Sequence, residues 1–222
     1  MARTRREPVL VIGLGRFGSA LAAELVRLEH EVFGVDRDMR LVQAHMDDLT
    51  HVVQADATDP EAMGQVVRGT DFTTAVVAIG GDIEASILAT HVLVTDLGIP
   101  RVVAKAITAA HGRILQRVGA HTMVFPERDM GIRVAHVLSG RAIDYMELDR
   151  DFALVEVTAP TEMVGKSLGE SAVRSRHDVT VVCVKPPGGA FTYATQNTVI
   201  GPDDVLLVAG STRAVEDFGE LS

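Results

Sequence analysis

The sequence predicts an α/β chain: a doubly wound parallel sheet, then a crossover helix and a small α+β carboxyl lobe. Three observations carry this expectation. Short Val/Ile-rich runs recur through the first two thirds, separated by stretches with helical spacing. Most of these runs lack a polar alternate face, the pattern of parallel strands covered on both sides. A glycine triplet, G-x-G-x-x-G, joins the first run to the first helical stretch, as in Rossmann-like sheets.

The strand-like runs are, in order, "VLVIG" (9–13), "EVFGVD" (31–36), "HVVQAD" (51–56), "TAVVAIG" (74–80), "RVVAKA" (101–106) and "HTMVFP" (121–126). Leu21, Leu25 and Leu28 mark a helix after the first run. Asp59-Pro60 opens another, with proline at its first position. Ile83, Ile87, Ala89, Leu93 and Leu97 mark a helix after the fourth run, which Gly98 ends. The stretch 127–148 is expected to be one long helix ending near Gly140. Its apolar residues, Met130, Ile132, Val134, Ala135, Val137 and Leu138, exceed one stripe. Either this helix packs across the sheet edge, or it is covered on two sides, one of them by a second subunit. Beyond Leu148, "FALVEVTAP" and "DVTVVCVKPP" read as strands. "GGAFTYATQNTVIGPDDVLLVAGS" reads as a turn, a short strand, a loop and a strand. "STRAVEDFGEL" reads as a helix capped by Ser211.

Composition excludes several function classes. The net charge is −9, and the only basic cluster is Arg3, Arg5 and Arg6, read as a solvated terminus. Nucleic acid is therefore not an expected partner. The single cysteine, Cys183, lies in "VTVVCVK" and is expected in a strand core. No apolar run approaches the ~20 residues that cross a bilayer, and no signal peptide is recognised. The expectation is a cytoplasmic protein that reaches a membrane only through a partner.

The chemistry gathers at the strand ends. Gly13 allows the tight turn, Gly15 lets the backbone approach a pyrophosphate, and Gly18 lets the helix pack on the strand. Phosphates would sit on the helix N-terminus, where free N–H groups and the dipole favour anions. Asp36 ends the second run and can accept from ribose hydroxyls. Arg37 is next, but the acid disfavours a 2′-phosphate and so NADP. "ADAT" (55–58) and "AIGGD" (78–82) end the next two runs near the switch point. Asp56 either accepts from an adenine amino group or serves a turn. Gly80 and Gly81 leave room for ribose or phosphate. Arg16, inside the glycine motif, either meets phosphates or is a solvated surface residue. Phe17, Ala57 and Ile79, in the same loops, complete this part of the nucleotide-contacting set. Eight histidines are present, none in H-E-x-x-H or at zinc spacing with cysteine, and neither G-x-S-x-G nor a P-loop occurs. No catalytic residue is assigned. Sensing is favoured over catalysis, the alternative being a small NAD-dependent oxidoreductase.

"VIGLGRFG", the closing "VD", "ADAT", "VVAIG", "VVAKA" and "VGAHTMVFPERDMG", with the β-rich tail, resemble the RCK regulators of potassium transport, the TrkA-type family. The resemblance runs from Pro8 to the last helix. It implies an amino lobe over 1–145, carrying the nucleotide and the crossover helix, and a carboxyl lobe over 146–222. It implies homodimers assembled into a ring, typically an octamer, beneath a membrane potassium channel subunit of Ktr or Trk type. ATP and ADP, and in relatives NAD(H), would favour different ring shapes. On this pattern Arg16 senses the terminal phosphate, Asp36 holds the ribose, Asp56 the adenine, and Lys105 lies beside the phosphates. Glu127, in "FPERDMG", would face the nucleotide across the dimer interface and help bind a cation. A carboxylate with phosphate oxygens suits Mg²⁺ or Ca²⁺; alternatively Glu127 is a first-turn acid favoured by its helix. Ser139 and Gly140 are the expected hinge. Some relatives bind cyclic di-AMP in the carboxyl lobe. The matching stretch is 167–185, where Val173 and Arg174 fit the pattern. Ala172, His177 and Asp178 stand where Asn, an aromatic and Gly are usual.

Overall fold

The computed structural model describes residues 7–140 and 142–221; Arg3, Arg5 and Arg6 lie outside the described residues. The chain divides into two compact units, 1–127 and 128–222.

The first unit is built on six parallel strands: β1 (Val9–Ile12), β2 (Val32–Asp36), β3 (His51–Gln54), β4 (Thr74–Val77), β5 (Arg101–Lys105) and β6 (Thr122–Val124). Their order is β3-β2-β1-β4-β5-β6. The chain winds one way from β1 to β3 and the other from β4 to β6, so the switch point falls between β1 and β4. The crossover helices are α1 (Arg16–Arg27), α2 (Met39–Ala44), α3 (Pro60–Val66), α4 (Ile83–His91) and α5 (Ala109–Arg117). They cover two separate apolar layers, one around Leu10, Ile12, Val77 and Leu93, the other around Val11, Leu14, Val32 and Ala22. β1 is buried at every position because it carries a layer on each face.

Helix punctuation agrees with the expectation: Asp59 caps α3 through the N–H groups of Glu61 and Ala62, with Pro60 first in the helix. Two expectations are corrected. β3 is an edge strand, and His51, Val53 and Gln54 are exposed rather than covered on both sides. Leu28 caps the end of α1 and, like Ile83 at the start of α4, is exposed, so neither belongs to a buried stripe. The helix after β4 also widens into a π turn over Val92–Asp96 before Gly98 ends it with φ +64°. Periodicity alone does not reveal that local change.

Helix α6 (Pro126–Leu138) leads into the second unit and ends two residues before Gly140, whose φ is +75°. The strands of that unit are β7 (Asp144–Asp149), β8 (Phe152–Thr158), β9 (Val179–Lys185), β10 (Thr192–Tyr193) and β11 (Val205–Ser211), antiparallel in the order β10-β9-β11-β8-β7. Helices α7 (Leu168–Ser171), α8 (Val173–His177) and α9 (Thr212–Gly219) accompany them, and Ser211 caps α9 as expected. The core centres on Val155, Val157, Leu206, Val208, Val215 and Phe218. β7 falls inside the stretch read as helical, and Tyr145 is its one buried residue. Cys183 lies on β9 but is only half-buried, opposite Leu207 and Tyr193, so it is not a core residue.

Within this unit α6 has one covered face: Ile132 packs on the core, and His136 stacks on Tyr145 at 3.7 Å between ring centroids. Arg133 Nε donates to Asp144 Oδ1 at 2.6 Å on the neighbouring strand. Met130, Val134, Val137 and Leu138, at i, i+4, i+7 and i+8, form an exposed apolar stripe.

Candidate functional site

The site of the first unit grows from the end of β1. Gly13 adopts φ +92°, and its N–H donates to the Val35 carbonyl at 2.7 Å. α1 then begins at the extended Gly15 with no side-chain cap. Its first N–H groups are therefore left for an anion. The three glycines differ in what they need. A Cβ on Gly18 would strike the Gly13 carbonyl oxygen and reach Ala78 Cβ at 3.0 Å. A Cβ on Gly15 would meet nothing within 4 Å. Packing of the chain itself therefore accounts for Gly18 but not for Gly15, where the backbone is left open.

A cleft of about 260 Å³ lies at the switch point, lined by Gly13, Gly15, Asp36, Arg37, Asp56, Ala57, Ile79 and Gly80, with Gly81, Asp82 and the apolar Leu41 and Ala85. Nine of the sequence-derived residues, Gly81 included, thus share one cavity. Asp36 is fixed by two backbone donors: Leu14 N–H to Oδ2 at 2.7 Å and Asp38 N–H to Oδ1 at 2.8 Å. Each oxygen keeps a lone pair for a sugar hydroxyl. Asp56 does serve a turn, since its Oδ1 accepts from Thr58 N–H at 2.9 Å and Thr58 Oγ1 at 2.7 Å. These two bonds, with a smaller contribution from the charge of Arg37, hold its carboxyl below the usual range against the desolvation that raises it. The other oxygen, Oδ2, accepts neither bond from Thr58, and the residue lines the same cleft as Asp36.

Arg16, Phe17, Gly18, Lys105 and Glu127 do not line that cleft. All but Gly18 form an adjoining charged cluster. Lys105 is buried at the end of β5, and its Nζ donates to Glu127 Oε1 at 2.5 Å and lies 5.5 Å from the Phe17 ring centroid. The Lys105 hydrogen bond holds the Glu127 carboxyl below its usual range, helped by the charges of Lys105 and Arg16 and opposed by desolvation. Gly80 joins the two groups, because it lines the cleft and a Cβ there would sit 2.9 Å from Lys105 Nζ. His111 is buried in the first turn of α5, beyond Lys105. Its Nδ1 accepts from Ile107 N–H at 3.3 Å, and burial pushes its imidazole below the usual range. It secures the loop after Lys105 and does not line the cleft.

No group of three or more His, Cys, Asp or Glu side chains able to hold a metal occurs among the described residues. Glu127 is the only carboxylate of its cluster and is already paired with an ammonium. The described residues alone do not gather the carboxylate donors that such a cation favours.

Sequence reasoning missed Asp82. It caps α4 by accepting from Ala85 N–H at 3.0 Å, lines the cleft, and lies 3.6 Å from Arg37 Nη1. The signal was present, since an aspartate after paired glycines at a strand end is both a helix cap and a cleft residue.

A second cleft, of about 400 Å³, lies in the carboxyl unit between Leu168, Gly169, Ala172, Val173, Arg174, Thr195 and Gln196. Two of the residues that differ from the expected pattern sit on left-handed backbone. Ala172 and Asp178 adopt φ +50° and +55°, the left-handed region that suits Asn and Gly. At the third, the imidazole of His177 meets the Phe218 ring edge-on, with centroids 5.4 Å apart. The usual Asn and Gly are thus matched to the backbone. Ala172→Asn should raise the stability of the chain by ~0.5–1 kcal/mol, because left-handed alanine is strained and asparagine less so. Denaturant titration would check this, and no gain would remove the backbone explanation.

Family models match both units: the TrkA-N domain over residues 9–126 and the TrkA-C domain over 152–222. The Ktr system potassium uptake protein A of Bacillus subtilis (strain 168) is 33% identical over 98% of this chain and 98% of its own length. The Ktr system potassium uptake protein C of the same strain is 34% identical over 94% of each. Among solved structures, the GsuK channel bound to NAD shares the fold with a TM-score of 0.66 at 18% identity, covering 100% of this chain and 40% of that longer one. The resemblance read from the motifs holds, and the chain belongs to the TrkA-type RCK family, together with the Ktr system potassium uptake proteins.

Proposed function

We propose that this chain is a nucleotide-sensing regulatory subunit of a potassium uptake system, acting without catalysis. The observation that carries the reading is the pairing of two sites at the switch point. A cleft with fixed carboxylates at Asp36 and Asp56 suits a ribose and an adenine. Beside it stand the uncapped start of α1 and the cations Arg16 and Lys105, which suit phosphates. Family membership supports regulation of potassium transport rather than hydride transfer. No helix among the described residues is long and apolar enough to cross a membrane. The subunit is proposed to sit at the cytoplasmic face, docked on a membrane potassium channel subunit of Ktr or Trk type, with functional lobes at 1–145 and 146–222.

The ligands are ATP and ADP, with NAD(H) weaker and NADP(H) weakest. A ligand moves a bistable assembly only by its difference in affinity for the two states. The γ-phosphate meeting Arg16 supplies that difference. A Mg²⁺ or Ca²⁺ ion would need donors beyond this chain, from nucleotide oxygens and the Glu127 of a second copy. Cyclic di-AMP is assigned to the second cleft. Calorimetric titration of wild type and Arg16→Ala tests the reading. The variant should lose about ten- to a hundred-fold in ATP affinity and much less for ADP, the value of one charge-assisted contact. Equal losses, or a preference for NADP(H), would sink it.

The assembly is a homodimer that closes into a ring, an octamer on the family pattern. Its support is the exposed stripe of Met130, Val134, Val137 and Leu138 on α6. Light scattering on the purified chain at micromolar concentration should give a mass of at least two protomers. A monomer would rule the assembly out.

A further inference from the structure

The ribose end of the cleft carries two opposed signals. Asp36 is the acid that accepts ribose hydroxyls, yet the next residue is an arginine, and an arginine near that position accommodates a 2′-phosphate. The surroundings of Arg37 resolve the conflict. Its carbonyl accepts from Gln54 Nε2 at 3.0 Å, which ties its backbone to β3. Its guanidinium points to the β4–α4 loop, with Nη1 3.6 Å from Asp82 Oδ2. Asp82 is positioned by its other oxygen, Oδ1, which caps α4 by accepting from Ala85 N–H at 3.0 Å. Arg37 also acts on the Asp56 carboxylate, so one cation lining the cleft is shared between two acids.

We propose that Asp82 is a specificity-determining residue: by holding the Arg37 guanidinium on the β4–α4 loop, it denies a 2′-phosphate its natural cation. This deepens the adenine-nucleotide reading of the cleft and rests on it. Asp36 opposes a 2′-phosphate by repulsion, and Asp82 removes the attraction that would otherwise offset it. The Arg37 side chain is 71% exposed and that of Asp82 38%, so the pair is a surface one and its effect is a modest factor.

Asp82→Asn tests this, since asparagine caps a helix as well as aspartate does and lacks the charge. Dissociation constants for NADH and NADPH are measured at low ionic strength for wild type, Asp82→Asn, Arg37→Ala and the double variant. ADP serves as the control without a 2′-phosphate. The NADPH-to-NADH ratio should fall by about five-fold in Asp82→Asn, the upper end for an exposed ion pair. It should not change when Asp82→Asn is added to Arg37→Ala, because the guanidinium is then absent. An unchanged ratio in Asp82→Asn overturns the proposal. So does a five-fold fall that persists without Arg37, which would make Asp82 a direct repulsive charge. If wild type binds neither ADP nor NADH, the nucleotide reading itself falls and takes this inference with it.

Discussion

Gly18→Ala should destabilise the amino unit by ~3 kcal/mol or more and abolish nucleotide binding. The added methyl group would be driven into the Gly13 carbonyl oxygen, with Ala78 Cβ 3.0 Å away. Neither neighbour is the end of a flexible side chain, so α1 has to lift off β1. Overpacking of this kind reaches the top of its usual range when only backbone can yield. Lifting α1 also moves the N–H groups proposed to meet the phosphates, so stability and binding should fall together. Gly15→Ala separates the two, because nothing in the chain lies within 4 Å of its added methyl. The thermal midpoint of Gly18→Ala should drop by on the order of 10 °C, while that of Gly15→Ala stays near wild type and its nucleotide affinity falls. A Gly18→Ala variant with an unchanged midpoint would show that the close approach of helix and strand is not required.

The amino unit was legible because its strands announce themselves twice, by their composition and by the residues that close them. β1, β2 and β4 are Val/Ile runs that end in Gly13, Asp36 and the Gly80-Gly81 pair, and all three ends meet at the cleft. The edge position of β3 was not legible. "HVVQ" carries the same paired valines as its neighbours, and nothing local says that no strand lies beyond it. β7 was hidden for a related reason. In "DYMELD" the polar and apolar residues fit both a fraying helix and an edge strand, and pairing with β8 decides between them. The apolar residues of α6 exceed one stripe, and four of them stay exposed while its other face packs on the core of the carboxyl unit.

Residues that reach the cleft through their backbone position could be placed there from sequence, whereas contacts that depend on long-range pairing could not. Asp36 and Asp56 end strand-like runs and needed only the topology. Lys105 and Glu127 are 22 positions apart, and their 2.5 Å contact arises because β5 and β6 are neighbours. The Arg37–Asp82 pair likewise spans the switch point, where two loops distant in sequence converge.

Lys105→Met is expected to weaken ATP and ADP by about ten- to a hundred-fold and leave adenosine unchanged. The lysine stem is buried and its ammonium is held away from water, with Glu127 Oε1 2.5 Å from it. An incoming phosphate can take that ammonium in exchange for the carboxylate, because the Glu127 side chain is 65% exposed and rehydrates at little cost. A charge-assisted contact to a shielded donor is worth roughly 1.5–3 kcal/mol, which sets the expected factor. Methionine fills nearly the same volume, so the core around β5 should hold and the unfolding midpoint should shift little. That separates this variant from Gly18→Ala, where stability and binding fall together. Titration with ATP, ADP and adenosine gives the decisive comparison. Equal weakening of all three would mean that Lys105 shapes the cleft rather than meeting phosphate. No weakening of any would move the phosphates away from β5 and leave α1 and Arg16 as their only anchors.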